Sequence, residues 1–589
     1  MVTTSPKSAG SPELAQKQAG GISEGTDPHR QMWRPTRWLS TAVVVGLLAV
    51  FVYIATRNIR SPGLYYDELD FVNAALGGPA GTQFISTRIF GVPVMIMPYI
   101  GALKSYIYYP VFALFGVSAV TIRLPIILVA AVGLFVWYEV GVLIYRTRVT
   151  ALFMLAALSV DPAYIFQSKL DWGPTVLQVV FSGVLIYFVL RALRGSMRSA
   201  VRIWLPLAYV AALLGLFNKL NFIWIIVAVP IAIGALYPAR VRTWFRSGLL
   251  FLLPLGATTA LVGLAGWFLI LPLITSSGPA MGLLARAQFT VNLYTATMNG
   301  AAVFGYITGG GVLTSVSWTD SVELWVAVAW VVALALTVRR LREDQKEALR
   351  TTVFFAIVFV IIAAQIVLTK QATGPYHMMA LWPINVLVIF LMVEFTALCA
   401  CRVAPVEWKA AAGRIVQTAM VAITSAALFC GSVMGDNAYN AAFAQGTSLA
   451  PIWSDQIYQL SEFINARYPT RGYVLFPDWG MANQALALAS SDGERSRLLD
   501  VWPWFSDPGP SLAMSNWIVE TYFEGQTDMV VMFKNIDVIP GTKANFWTFA
   551  SDEGLSVTQV DWMPSQDKPI YVIYMVTVAP SGANPAGAG

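Results

Sequence analysis

Charge is scarce in this chain. Only 12% of its 589 residues are Asp, Glu, Lys or Arg, against 57% that are hydrophobic. That balance excludes a soluble protein of this size, which would need far more polar surface. Cysteine is nearly missing: Cys399, Cys401 and Cys430 lie within or beside apolar stretches, so no disulfide framework is expected in any external domain. Histidine occurs twice, and only His377 lies outside the polar N-terminal tail. The chain has no Walker-type P-loop, no H-E-x-x-H pair and no G-x-S-x-G elbow, which removes the chemistries those motifs carry. A net charge of +6 is too modest to signal nucleic acid, and no nucleic-acid partner is expected. In so apolar a chain the basic residues report topology first.

What is abundant is long apolar sequence. Stretches able to span a bilayer occur near 38–55, 119–145, 150–167, 174–191, 203–218, 221–238, 247–273, 322–338, 351–368, 378–400 and 414–434, which predicts about eleven helices of roughly 20 residues each. Twenty Trp and 23 Tyr suit two interfacial aromatic belts. The connecting loops sort by charge. Arg146 and Arg148; Arg191, Arg194, Arg198 and Arg202; Arg240, Arg242 and Arg246; Arg339 to Arg350; and Arg402, Lys409 and Arg414 fall on one side, while Lys169, Lys219, Arg286 and Lys370 are the only basic residues of the short loops between them. The richer set is expected to be cytoplasmic, with the N-terminus inside and the C-terminus outside. Residues 92–116 are apolar but carry Pro93, Pro98, Pro110 and Lys104, so they are read as interfacial amphipathic helices rather than a span.

The expected organisation is a mainly α polytopic bundle with a small α/β domain outside. Residues 1–37 form a disordered cytoplasmic tail, 38–434 the membrane domain, 435–580 the extracytoplasmic domain and 581–589 a frayed end. In the C-terminal part, 473–476, 528–533, 555–560 and 571–576 read as strands, and 480–491, 511–521 and 543–553 as short helices.

Against so little charge, Tyr65-Tyr66-Asp67-Glu68-Leu69-Asp70 stands out. It places three carboxylates just after the first span, where acids are costly and persist mainly for chemistry or binding. Such carboxylates suit a general base, or a divalent cation such as magnesium or manganese facing a phosphate. Asp171, in Lys169-Leu170-Asp171-Trp172-Gly173-Pro174, lies in the second external loop; an N-cap role for the next span is equally open to it. Asp161 precedes Pro162 and reads as a helix terminator. Lys104, Lys219, Lys370 and His377 sit on the same side. Snorkelling explains Lys104, and an ordinary hydrogen bond explains a lone loop histidine.

In order and sidedness these features resemble the GT-C class of membrane glycosyltransferases, nearest the protein O-mannosyltransferase and aminoarabinose transferase groups (RgtA/B/C/D-like). The matching residues are Tyr66-Asp67-Glu68, Pro98 to Lys104, Leu114-Phe115-Gly116, Arg123-Leu124-Pro125, Asp171 and Tyr376-His377, spread over roughly 38–400. The resemblance implies an inverting transfer of a sugar from a polyprenyl-phosphate donor to a hydroxyl of a glycan, lipid or protein acceptor at the outer face. It implies Asp67 as base with Glu68 beside it, Asp171 as a second acid, and Lys104, Lys370 and His377, in that order, at the donor phosphate. The Lys-Pro-Pro run of the aminoarabinose transferases is missing from the first loop, so the sugar does not follow. A transporter or lipid-linked-sugar flippase is the competing class. It would place charges at mid-membrane, whereas here they gather at the outer helix ends.

Overall fold

The computed structural model describes residues 37–77, 87–246, 256, 281–308, 321–337, 343–400, 409–444, 452–467, 472–523, 527–560, 562 and 569–578. The chain is an integral, multi-pass membrane protein. Six of its described helices are long and apolar enough to cross a membrane, and two bent helix pairs raise the number to eight. Helix α1 (Arg37–Thr56) carries no charge after its first residue. Its outward side chains, Trp38, Val45 and Tyr53 among them, are exposed, as a helix facing lipid requires. Two further stretches expected to span, near 322–338 and 378–400, are shorter apolar helices. The one near 247–273 lies outside the described residues, as do the two terminal tails.

Polar and proline signals set the helix breaks. Helix α2 (Tyr66–Ala75) carries the acids. Residues 92–116 do not form helices throughout, as the sequence suggested. Strands β1 (Thr87–Ile89), β2 (Val92–Met97) and β3 (Ile100–Gly101) make a small antiparallel sheet, and only then does α3 (Leu103–Phe115) begin. Pro93 and Pro98, which cannot serve a helix interior, sit in or beside these strands. Helix α4 (Ala119–Ile144) starts on a capping box in which the Ser118 hydroxyl accepts from the Thr121 N–H, satisfying orphan donors at its N-terminus. The expected span at 150–167 is broken into α5 (Arg148–Leu158) and α6 (Pro162–Leu170), bent by 59°. Asp161 makes the break by capping α6: its Oδ1 accepts from the Tyr164 N–H at 3.3 Å, with Pro162 in the first turn. Helix α7 (Thr175–Arg194) follows and ends on Arg191 and Arg194.

The last long helix, Lys409–Ala444, runs past residue 434, and the C-terminal domain follows it. That domain is a five-stranded mixed sheet in the order β5-β4-β6-β8-β7, built from β4 (Val474–Phe476), β5 (Leu498–Asp500), β6 (Asp528–Phe533), β7 (Leu555–Val560) and β8 (Tyr571–Val578). Strand β6 is buried along its whole length. Strands β4, β5 and β6 run parallel, so the carboxyl ends of β4 and β5 lie together, as in ligand-binding α/β sheets. The helix Met481–Leu488, which follows β4, packs against α2.

Candidate functional site

The acidic segment is held by a guanidinium. Arg123, at 1% exposure, reaches out of α4. Its Nη1 donates to the carbonyls of Ile59 (2.7 Å) and Pro62 (2.8 Å), and its Nη2 to that of Gly63 (2.9 Å). The remaining fork closes on Glu68, Nη2 to Oε1 at 2.7 Å and Nε to Oε2 at 3.2 Å. Glu68 Oε1 also accepts from the Tyr65 N–H at 2.7 Å. Both Glu68 oxygens are thereby consumed. The sequence reading set Glu68 beside Asp67 among the catalytic candidates; in the structure its carboxylate is a buried anchor that shapes the turn into α2. Gly63 completes the turn. Its N–H donates to the Trp453 carbonyl at 2.6 Å, and a Cβ there would stand 2.1 Å from the Ser454 oxygen.

Asp67, one helical step away, faces elsewhere. It is half-buried between fully buried neighbours. Burial pushes its carboxyl up to about 6, against a hydrogen bond from the Trp172 indole and the charges of Lys219 and Lys104. Asp70, on the next turn, is buried at 5% exposure and is driven well above the ordinary carboxylate range, first by desolvation and then by Asp67, with Lys104 opposing.

Asp171 and Lys104 form the floor beneath them. The Lys104 ammonium lies 2.9 Å from Asp171 Oδ2, donates to the Asp171 carbonyl at 3.1 Å and sits over the Phe71 ring at 4.9 Å. Lys104 is completely buried, so it does not snorkel. Asp171 closes α6 in the left-handed region, with φ 37° and ψ 64°, and its Oδ1 accepts from the Val176 N–H at 2.9 Å in the first turn of α7. The turn thus unites the capping role and the ion pair. Gly173 follows at φ +65°, where a Cβ would stand 3.2 Å from the Lys219 ammonium; only glycine gives both that backbone and that space.

Lys219 joins the span Met197–Asn218 to the helix Leu220–Leu236. It is 4% exposed and lies 4.3 Å over the Tyr376 ring. Burial brings its ammonium down to about 8, while Asp171 and Asp67 hold it up. The sequence reading set Lys219 on the same side as Lys104, Lys370 and His377 but gave it no role at the donor phosphate. The usable signal was that it is one of very few basic residues on its side. His377 is neutral: burial and the Lys219 charge hold it well below the ordinary imidazole value. Its Nδ1 accepts from the Gly374 N–H at 3.2 Å, which leaves Nε2–H as its donor. Lys370 is exposed and, among the described residues, forms no ion pair, so the structure does not bring it into this group.

Aromatic rings wall the site. Tyr65 meets Trp172 at 4.9 Å and Trp453 at 4.8 Å, and Trp172 meets Tyr306 at 4.3 Å and Tyr376 at 5.4 Å. Among the described residues no group of three or more His, Cys, Asp or Glu side chains has metal-holding geometry. The arrangement offers one accessible base of raised pKa, a second buried acid, and two buried ammonium groups in a low-dielectric, ring-lined setting. Positive charge acts strongly in such a setting.

Neither a sequence family nor a curated protein sequence matches this chain. Solved structures do. The crystal structure of ArnT from Cupriavidus metallidurans in the apo state aligns with a TM-score of 0.52 at 13% identity, covering 91% of this chain and 98% of that one. The same protein bound to undecaprenyl phosphate aligns at 0.51 and 13%, covering 92% and 98%. The cryo-EM structure of the arabinofuranosyltransferase AftD from Mycobacteria aligns at 0.45 and 15%, covering 93% of this chain and 40% of that one. The chain therefore has the fold of ArnT, the GT-C architecture.

Proposed function

We propose that this GT-C fold works as a glycosyltransferase that moves a sugar from a polyprenyl-phosphate donor to an acceptor hydroxyl at the outer membrane face. The observation that carries the reading is the placement of Asp67, a half-buried carboxylate of raised pKa within electrostatic reach of the buried Lys219 and Lys104. The same fold in a protein solved with undecaprenyl phosphate supports a lipid-phosphate donor.

In the proposed reaction the acceptor oxygen forms a bond to the anomeric carbon while the bond from that carbon to the phosphate oxygen breaks. The stereochemistry inverts, and the acceptor proton passes to Asp67. The phosphate departs with the bonding pair, and its growing charge is met by Lys219 and by the Nε2–H of His377. A lipid phosphate leaves readily, so a base and a positive pole are the main needs. Lys104 contributes through Asp171. Their ion pair fixes the turn that presents Trp172 to Asp67 and Gly173 to Lys219, and its net field still reaches Asp67 and Asp70. On this reading Lys219 ranks ahead of Lys104 and Lys370 as the partner of the phosphate.

Purified protein incubated with a panel of polyprenyl-phosphate pentoses and hexoses and a cell-envelope glycan extract tests the reading. Free polyprenyl phosphate should appear in an acceptor-dependent manner with wild type and not with Asp67→Asn. Equal release by both, or acceptor-independent uptake of the lipid into vesicles, would refute it.

A further inference from the structure

A polar cavity lies at the end of the bundle remote from the acids. Helix α4 carries Arg123 near its start and Ile144 at its end. At about 1.5 Å per residue the two stand roughly 30 Å apart, about one hydrocarbon thickness. There a cavity of about 590 Å³ opens between the ends of α4 and α7, the start of the helix Glu343–Leu368 and the last part of the helix Ile384–Ala400. That size falls in the usual range of ligand sites, about 300–1,000 Å³. Its polar lining is Arg146, Arg194, Glu347, Glu394, Thr351 and Thr352. Glu394 is the only charged residue of its helix and is 4% exposed, a costly placement for a carboxylate. Its Oε2 accepts from the Arg146 N–H at 3.1 Å, and its Oε1 from the Thr150 hydroxyl at 2.6 Å and the Gln417 amide at 3.0 Å. The Thr351 and Thr352 hydroxyls donate to the carbonyls of Glu347 and Ala348, so toward the cavity they offer lone pairs and no proton. Arg194 forms no hydrogen bond or close ion pair among the described residues; Glu347, whose field reaches it, pairs with Arg350 at 3.0 Å. Arg194 and two carboxylates thus share one cavity without closing on one another.

We propose that this cavity binds the headgroup of a zwitterionic phospholipid that carries a primary ammonium. The phosphodiester is held by Arg146 and Arg194, and the ammonium by Glu347, Glu394 and the two threonine hydroxyls. The presence of both signs in the lining selects this occupant. A guanidinium fork matches phosphate oxygens in geometry as well as charge. A phosphate dianion would meet two carboxylates, and an anionic headgroup would bring those carboxylates no cation. A quaternary ammonium has no N–H for the acceptors. Place argues for a lipid over a soluble phosphoamine: the cavity sits at the helix ends, at headgroup depth, and Ile144, Leu391 and Phe395 give it an apolar side on which the glycerol end rests. The bound lipid ties four helices together at the membrane face opposite the acid cluster. No residue of the acid site takes part, so the inference stands apart from the glycosyltransferase reading.

The test titrates delipidated full-length protein in detergent with dioleoyl phosphatidylethanolamine, phosphatidylcholine, phosphatidylglycerol and free O-phosphoethanolamine, and reads bound ligand by native mass spectrometry. Wild type should bind phosphatidylethanolamine at least about 10-fold more tightly than phosphatidylcholine, the usual effect of hydrogen bonds to a charged group. Arg194→Gln should weaken that binding by a similar factor, and Glu347→Gln should shrink the preference over phosphatidylcholine. Arg198→Gln, in the same basic loop but outside the cavity, should change neither. All three side chains are exposed, so the variants are expected to fold. Equal affinity for phosphatidylethanolamine and phosphatidylcholine, or tighter binding of phosphatidylglycerol than of phosphatidylethanolamine, overturns the proposal. An equal loss in Arg198→Gln and Arg194→Gln also overturns it, since a basic membrane face would then suffice. Free O-phosphoethanolamine bound as tightly as the lipid overturns the lipid as the source of the headgroup.

Discussion

Glu68→Gln and Asp67→Asn are neighbouring, near-isosteric changes with opposite expected outcomes. Glu68 and Arg123 are each 1% exposed and paired at 2.7 Å. Removing one partner of such a pair leaves an uncompensated buried charge, which costs about 3–5 kcal/mol. Glutamine keeps one carbonyl acceptor, and Arg123 keeps its three backbone carbonyls, so the expected loss lies near the low end, about 3 kcal/mol. Asp67→Asn should not destabilise. Burial raises that carboxyl to about 6, so the fold already disfavours the ionised form; the stability this group contributes is fully present below its ordinary value and is lost as pH rises through about 6. Neutralising it at pH 7 is therefore neutral or mildly stabilising. Turnover in Asp67→Asn should fall at least about 100-fold, the low range for a lost general base. The assay is thermal unfolding in detergent followed by aromatic fluorescence, in parallel with release of polyprenyl phosphate. A Glu68→Gln protein that melts like wild type yet is inactive would return Glu68 to the chemistry and refute the anchoring argument. An Asp67→Asn protein with near-normal turnover would remove Asp67 as the base.

Three further outcomes follow from the same geometry. The pH profile of transfer should be bell-shaped: Asp67 becomes protonated as pH falls through about 6 and Lys219 loses its charge as pH rises through about 8, so a flat profile from pH 5 to 9 would contradict both assignments. Lys219→Met should weaken apparent donor affinity at least about 10-fold by removing a charge-assisted contact to phosphate, whereas Lys370→Met should leave donor titrations unchanged. Reporters inserted at Gly195, in a basic loop, and at Gly554, in the C-terminal domain, should read opposite sides of the membrane; the same side for both would overturn the orientation.

Much of the bundle was legible because long apolar runs have few alternatives in lipid. The acid cluster was legible because charge is otherwise rare. What escaped had specific causes. Adjacent helical residues do not share a face, so Asp67 and Glu68 part company once α2 forms. A flat reading of the motif pairs them. The partnership of Lys104 with Asp171 spans 67 residues and depends on a left-handed aspartate that no local pattern announces. Strand β5 has only three residues, too few for an alternation to register. The β1–β3 sheet hid in an apolar stretch whose prolines argued against a helix without arguing for strands. Lys219 carried a signal in its sidedness, but its neighbours across the site, Gly173 and Tyr376, come from distant loops.

The contact of Gly63 with Trp453 has a consequence for how the protein is made. The turn into α2 is pinned from behind by a carbonyl almost 400 residues further along, and Asn73 leans on Asn483 in the same way. A ribosome-bound chain can insert α1 through α7 into the membrane and still lack the groups that lock its acidic helix. The acidic helix is therefore locked only after the C-terminal domain has been synthesised and has folded back, which makes the assembly of this region a late event in biogenesis.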